Sequence, residues 1–335
     1  MKLPLSPILL SVLLGSISLM GIAGCGSNSN VATDTKTTSE TAQPAAENKP
    51  SVTNTMQITV SILPQKYFVE QIGGQYTSVN VLVPPDANPA TYEPKPEQLQ
   101  RLSQAAVYFR IGVPVEKAWM DKIASANPDM SIVDTRRGVD LRSIDAHQHH
   151  DGHQHHSSDG EAMKAASPQN GEIENIENPD PHIWLSPKRV KVQAQTIYET
   201  LAKINPENST AYQQNLDEFL AKVEELDAYI QNKLSGLENR KFMVFHPSWG
   251  YFAADYNLEM IPIEIGGQEP SAAEMANLIK TAKQENIKVI FAQPQFDTED
   301  AKTIATEING EVLLIDPLAP NWSENLRDVA DTFAE

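Results

Sequence analysis

The sequence predicts an α/β protein of two lobes, each a mainly parallel sheet flanked by helices, joined by one long rigid helix. In both halves of the chain, short apolar strand patterns alternate with helical patterns, which favours parallel sheets covered on both faces. A single amphipathic pattern of unusual length separates the two series. The length of 335 residues is enough for two buried cores.

The first 25 residues predict a lipoprotein signal that is not part of the fold. Lys2 precedes an apolar run from Ile8 to Met20, and small residues precede Cys25, the only cysteine of the chain. Such a run is too short to span a bilayer stably. We expect lipid attachment at Cys25 and a protein anchored on the periplasmic face of a membrane, outside the cytoplasm. An ordinary secretory peptide with an incidental cysteine is the alternative.

Residues 26–56 predict a disordered tether, because 15 of these 31 residues are Ser, Thr or Asn and none is aromatic. The formal net charge of the whole chain is −18. Nucleic acid and anionic membrane surfaces repel such a protein. The charge therefore argues against nucleic acid and an anionic membrane surface as partners, and it suits a cation. We expect membrane contact through the lipid anchor only.

The N-terminal lobe is predicted over residues 57–205. Its first strand, within 57–63, shows the alternation of Ile58, Val60 and Ile62 before Pro64. Further strands are predicted at 79–83, 106–111 and 131–133, with helices between the first three.

Residues 143–178 interrupt this pattern and predict a loop rich in histidine. Six of the eight histidines lie in ten positions: His147, His149, His150, His153, His155 and His156. Imidazole is a common ligand of Zn²⁺, Cu²⁺ and Ni²⁺, so these side chains are candidate auxiliary metal ligands. A solvated low-complexity loop without a role is the alternative.

His182 lies in a segment with few backbone alternatives, because Pro181 precedes it directly and Pro187 follows five residues later. Ser186 is predicted to cap the helix that starts at Pro187. The next helix is predicted from Pro206 to Leu234, with Gly236 as its stop, and the element 206–236 should link the lobes. A helical hairpin that caps one domain is the alternative.

The C-terminal lobe is predicted over residues 237–335 and repeats the architecture of the first. Strands are predicted at 242–245, 260–264, 287–291 and 311–315, and Ser271 with Glu274 predicts a capping box. Ligands of parallel sheets bind beyond the carboxyl ends of strands. His246 and Asp316 each follow such an end, so with His182 they form a candidate metal site that suits Zn²⁺ best and Mn²⁺ next. Taken singly, each histidine could be a buried structural residue, and Asp316 a strand-end cap.

Several motifs of residues 57–335 resemble those of the zinc- and manganese-binding lipoproteins that feed ABC importers. The motifs are Ala90-Thr-Tyr-Glu-Pro94, Asp180-Pro-His-Ile-Trp-Leu185, Phe245-His-Pro-Ser-Trp-Gly-Tyr-Phe252, Gly267-Gln-Glu-Pro-Ser271, Phe291-Ala-Gln-Pro-Gln-Phe296 and Ile315-Asp-Pro-Leu318. The resemblance implies a helical-backbone metal receptor, expected as a monomer, that delivers the ion to an ABC permease in the inner membrane and is not an enzyme. It also implies His182, His246 and Asp316 as ligands, and the histidine at 246 resembles the zinc branch.

The chain departs from the family pattern at Ala90, where the family carries a histidine ligand. Alanine cannot coordinate, so the site is one donor short and we expect weaker or faster-exchanging binding. Water, a loop imidazole, Glu93 or Asp86 could supply the missing donor.

Two other functions remain open from the sequence. An open zinc site with three ligands could hydrolyse a substrate, although no His-Glu-x-x-His pattern is present. Alternatively, a divergent paralogue with a weakened site could act as a metal buffer or adhesin.

Overall fold

The computed structural model describes residues 55–144 and 178–334. The predicted signal with Cys25, the tether up to residue 54 and the six histidines of the loop lie outside the described residues. Within the described ranges, no helix is both long and apolar enough to cross a membrane.

The first half of the described chain forms a parallel sheet with the strand order β2-β1-β3-β4. The strands are β1 (Met56–Val60), β2 (Thr77–Val81), β3 (Val107–Arg110) and β4 (Ser131–Asp134). The helices are α1 (Leu63–Gly73), α2 (Pro96–Leu102) and α3 (Pro114–Ala126). The sequence patterns did not predict α3, because only Val115, Glu116 and Ile123 of it are buried and its apolar stripe is weak.

The second half forms another parallel sheet, with the order β6-β5-β7-β8. The strands are β5 (Lys241–Val244), β6 (Glu259–Pro262), β7 (Val289–Ala292) and β8 (Glu311–Leu314). The remaining helices are α4 (Pro187–Ile204), α5 (Ser209–Leu234), α6 (Gly250–Asp255), α7 (Ala272–Gln284), α8 (Glu299–Glu307) and α9 (Trp322–Phe333). The predicted fold class is therefore confirmed, as are the caps at Ser186 and Ser271.

The long helix α5 is shorter than predicted at its start. A 3-10 turn at Pro206–Asn208 precedes it, so the helix has 26 residues and begins at Ser209. At 1.5 Å per residue it is about 39 Å long. The predicted stripe is correct at every position, and these residues are all buried: Tyr212, Leu216, Phe219, Val223, Leu226, Ile230 and Leu234.

One hydrophobic core extends from the first sheet to the second by way of α5. This helix packs against α1, α4 and α9. The Phe219 ring lies 5.9 Å from that of Phe68 and 6.4 Å from that of Trp322. Because a shared core resists separation of its parts, α5 supports the two sheets as a stiff connection.

A polar clamp also joins the two halves. The Arg189 guanidinium donates to both carboxylate oxygens of Asp255, at 2.8 and 2.9 Å, and the Ser186 hydroxyl donates to the same carboxylate. The guanidinium lies 4.5 Å from the ring centre of Tyr251, whose hydroxyl donates to the Asp180 carbonyl at 3.0 Å. The clamp therefore fixes the segment that carries His182 against α6.

Replacing Asp255 with asparagine should destabilise the protein, because Arg189 would keep its charge and lose its anionic partner. We expect the free energy of unfolding to fall by about 2–4 kcal/mol. Urea unfolding followed by circular dichroism measures this loss. The matched change Asp328→Asn, at an exposed position of α9, should stay within about 0.5 kcal/mol of the wild type. Equal effects of the two changes would contradict the clamp.

Candidate metal centre

A cleft of about 1590 Å³ opens between the carboxyl ends of the two sheets. Loops that follow β2, β3 and β4 form one wall, and loops that follow β5, β6, β7 and β8 form the other. Ala90 lies on the first wall, His246 and Glu264 lie on the second, and His182 enters from the segment before α4. The strand-end rule used on the sequence therefore locates the cleft correctly.

His182 is held by Asp180. One carboxylate oxygen of Asp180 accepts from the backbone N–H of His182 at 3.0 Å and lies 2.7 Å from its ring Nδ1. Asp180 is itself fixed, since its N–H donates to the Arg142 carbonyl at 2.8 Å. The imidazole is nearly buried, with 10% of the side chain exposed.

His246 is held in the same way from the second sheet. Its Nδ1 lies 2.6 Å from the Glu264 carboxylate, and its ring stacks on Phe296 with the centres 4.6 Å apart. Its backbone N–H donates to Gln293 at 3.1 Å. Residues that follow β6 and β7 thus hold the backbone of His246 and set the direction of its ring.

The two carboxylates decide which ring nitrogens are available. An ionised carboxylate can only accept, so each Nδ1 carries the proton and each Nε2 keeps its lone pair. Carboxylate–histidine pairs of this kind commonly orient metal-binding imidazoles. The ring centres of His182 and His246 are 5.3 Å apart, close enough for both rings to coordinate one ion at about 2 Å per bond.

Burial lowers the pKa of the His246 imidazole below its ordinary value, although the hydrogen bond to Glu264 opposes this, and the neighbouring His182 lowers it further. The neutral form is the one that binds metal. At neutral pH the ring is therefore uncharged, and its Nε2 has no proton to lose before coordination.

Asp316 follows β8 as predicted, but protein groups occupy its carboxylate. One oxygen accepts from the Gln295 side chain at 2.7 Å and from the Leu318 N–H at 2.9 Å. The described residues contain no group of three or more His, Cys, Asp or Glu side chains arranged to hold a metal ion. The structure thus brings two of the three predicted ligands together, and a role for Asp316 as the third stays a prediction.

The candidate auxiliary donors lie elsewhere or outside the described ranges. Ala90 lines the cleft, but Glu93 and Asp86 are exposed residues that do not. The six loop histidines are not described, although Ile144 and Asn178, at the two ends of that gap, both line the cleft.

Comparison with known proteins decides the family. A family described as the periplasmic component A of the zinc-uptake complex matches residues 58–335. The chain belongs to this family. The predicted resemblance is confirmed, and membership of the zinc-uptake family implies an extracytoplasmic location, a metal ion as ligand and a permease as partner.

Individual relatives agree with this assignment. The high-affinity zinc uptake system protein ZnuA of Bacillus subtilis is 28% identical over 270 residues, which cover 78% of each chain. A crystal structure of ZnuA superposes with a TM-score of 0.73 at 44% identity and covers 84% of this chain and 98% of that one. A second, of a 138–173 deletion mutant of ZnuA with zinc bound, gives 0.72 at 44% identity, with coverage of 84% and 97%.

The sequence patterns missed the carboxylates that hold the two imidazoles. Asp180 was part of a quoted motif, and its position two residues before His182 was the available signal. Glu264 was placed at the end of a predicted strand beside the strand of His246. The ends of neighbouring parallel strands lie side by side, so the position of Glu264 after the strand next to that of His246 was the available signal.

Replacing Glu264 with alanine should weaken zinc binding by about 10–100-fold, because the imidazole of His246 would lose its orienting partner. Competition between the protein and a fluorescent zinc chelator measures the change. Glu264→Gln retains an accepting oxygen and should recover part of the affinity. An unchanged Kd in both variants would show that Glu264 does not position the ligand.

Proposed function

We propose that this chain is an extracytoplasmic solute-binding protein that captures Zn²⁺ in the cleft and delivers it to an ABC permease in the inner membrane. The facing pair of carboxylate-held imidazoles, His182 and His246, carries the proposal. Family membership supports it. In this proposal residues 57–205 and 237–335 are the lobes, and residues 206–236 link them in a monomeric protein that is not an enzyme.

The donor set favours zinc over manganese. Two imidazole nitrogens suit Zn²⁺ well, whereas Mn²⁺ prefers oxygen ligands. We propose Asp316 as the third ligand, through the carboxylate oxygen that does not accept from the Gln295 side chain or the Leu318 N–H.

Metal titration of residues 57–335, with and without residues 143–178, tests the proposal. Both forms should bind zinc at the cleft more tightly than manganese, and the longer form should bind additional zinc at its histidines. Zinc binding that disappears with residues 143–178 would place all capture on the loop and contradict the cleft site.

Delivery and anchoring require tests in cells. Uptake of radioactive zinc should depend on both this protein and its permease. We also propose lipid attachment at Cys25, so a Cys25→Ala variant should leave the membrane fraction. Retention of that variant in the membrane fraction would contradict the anchor.

A second candidate function is metal buffering by a weakened site. Ala90 in place of a ligand favours it, as does the lack of a three-donor cluster among residues 55–144 and 178–334. Zinc-limited cells that take up zinc equally well without this protein, while the purified chain still binds zinc, would support buffering over delivery.

A further inference from the structure

The cleft is larger than a single ion needs. Its volume of about 1590 Å³ exceeds the roughly 300–1000 Å³ of ordinary small-molecule pockets. A zinc ion with bonds of about 2 Å fills little of this space. On the wall where the family carries an imidazole, Ala90 supplies only a methyl group. The cleft therefore has room for an organic molecule beside the ion.

The described residues bring fewer donors together than zinc requires. The ring centres of His182 and His246 are 5.3 Å apart, and the described residues provide no cluster of three or more metal-binding side chains. Zinc normally takes four ligands. With Asp316 as the proposed third ligand, the described residues leave at least one position for a further donor.

The charge of the cleft wall differs from that of the protein. Four cationic and three acidic side chains line it: Arg110, Lys117, Arg136, Lys280, Glu116, Glu264 and Glu274. Four minus three gives a balance of +1, in a chain whose formal net charge is −18. Arg110 and Arg136 already pair with Asp134, at 3.6 and 2.7 Å, so they add little positive charge for a ligand. A bare dication therefore gains little attraction from this wall, and an anionic complex meets little repulsion.

The acids of the wall are already occupied by protein groups. Glu264 accepts from His246, and Glu274 accepts from the Ser271 N–H at 2.8 Å as part of the helix cap. Glu116 accepts from the N–H groups of Ile111 and Gly112, both at 2.7 Å. None of these three carboxylates forms an ion pair with a lysine of the cleft.

Two lysines of the wall lack such partners. Lys117 on α3 and Lys280 on α7 are exposed, and their side-chain ammonium groups make no hydrogen bond or ion pair with any residue of 55–144 or 178–334. The two helices belong to different sheets, so the ammonium groups come from both sides of the cleft. Paired cations on facing walls suit a ligand with more than one negative group.

We propose that the cleft binds zinc as a ternary complex with a small polycarboxylate chelator. Carboxylate oxygens of the chelator take the coordination positions that His182, His246 and Asp316 leave open, and its remaining negative charge faces Lys117 and Lys280. This inference rests on the proposed capture of zinc at the two imidazoles and specifies the form in which the ion arrives.

Equilibrium dialysis of the full chain with radiolabelled citrate, with and without zinc, tests the proposal. Citrate should be retained only when zinc is present, and His246→Ala should abolish retention. The double variant Lys117→Gln/Lys280→Gln should weaken citrate retention by about tenfold, as expected for the loss of two exposed charge contacts. Its effect on zinc binding without citrate should be much smaller.

The matched control is Lys122→Gln/Lys283→Gln, which changes lysines of the same two helices that do not line the cleft and should retain citrate as the wild type does. Succinate, a weak zinc chelator, should not be retained. Citrate retained without zinc, equal retention of succinate, or equal losses in both double variants would overturn the ternary complex. Zinc binding that citrate only weakens by competition would overturn it and leave zinc capture intact. A chain that binds zinc neither alone nor with citrate would overturn both proposals.

Discussion

Replacing His246 with alanine should remove high-affinity zinc binding from the cleft. The change leaves one imidazole at the site and also leaves Glu264 without its partner. Loss of an orienting group alone costs about 10–100-fold in affinity, so loss of a direct ligand should cost about 100-fold or more. Calorimetric titration of a chain without residues 143–178 measures this effect without binding by the loop histidines.

Asn277→Ala is the matched control, because Asn277 lines the same cleft from α7 and is exposed. It should bind zinc as tightly as the wild type. The thermal unfolding of His246→Ala should remain cooperative in the absence of metal, which separates loss of a ligand from loss of the fold. A variant that folds and keeps its zinc affinity would show that the metal lies elsewhere.

Replacing Ala90 with histidine should tighten zinc binding by about 100-fold or more, because the new imidazole adds a direct ligand to the site. Ala90 is exposed at the cleft wall. Its backbone N–H donates a hydrogen bond to the Asn88 side chain at 2.8 Å, which fixes the backbone at this position. A larger side chain therefore extends into open space without crowding a core. Chelator competition gives the Kd, and stopped-flow release of zinc should slow in parallel.

Thr91→His is the matched control, since it adds an imidazole at the next exposed position, which does not line the cleft. Its affinity should stay near that of the wild type. If Ala90→His binds zinc no more tightly than the wild type, the third position of the site is already filled and the predicted weakness of the natural site is wrong.

Local sequence signals were sufficient for most of the secondary structure. The stripe from Tyr212 to Leu234 predicted the buried face of α5 correctly, because helical periodicity records burial directly. Caps at Ser186 and Ser271 were also predictable, since each depends on residues within three positions. The start of α5 was not, because Pro206 suits both the first turn of an α-helix and a separate 3-10 turn.

The candidate site was only partly accessible to such reasoning. Strand ends and proline-flanked motifs identified His182 and His246, and the structure brings them together. Their pairing with Asp180 and Glu264 was missed, and the engagement of Asp316 by Gln295 and Leu318 was not foreseen. The contacts of Glu264 with His246 and of Gln295 with Asp316 depend on how neighbouring strands align their ends, which no single segment encodes. Asp180–His182 and Asp316–Leu318 are local pairs two residues apart.

The sequence by itself determined the alternation of strands and helices, the long apolar stripe of α5, the family, and the absence of a coordinating side chain at position 90. These features are local patterns or residue identities. Only the tertiary structure decided that two imidazoles from the two halves of the chain face each other, that carboxylates fix both rings, and that Lys117 and Lys280, which have no partner among the described residues, line the same cleft. His182 and His246 are 64 residues apart in the sequence and Glu264 is 18 residues from His246, so these distances exist only once both sheets have packed on one helix.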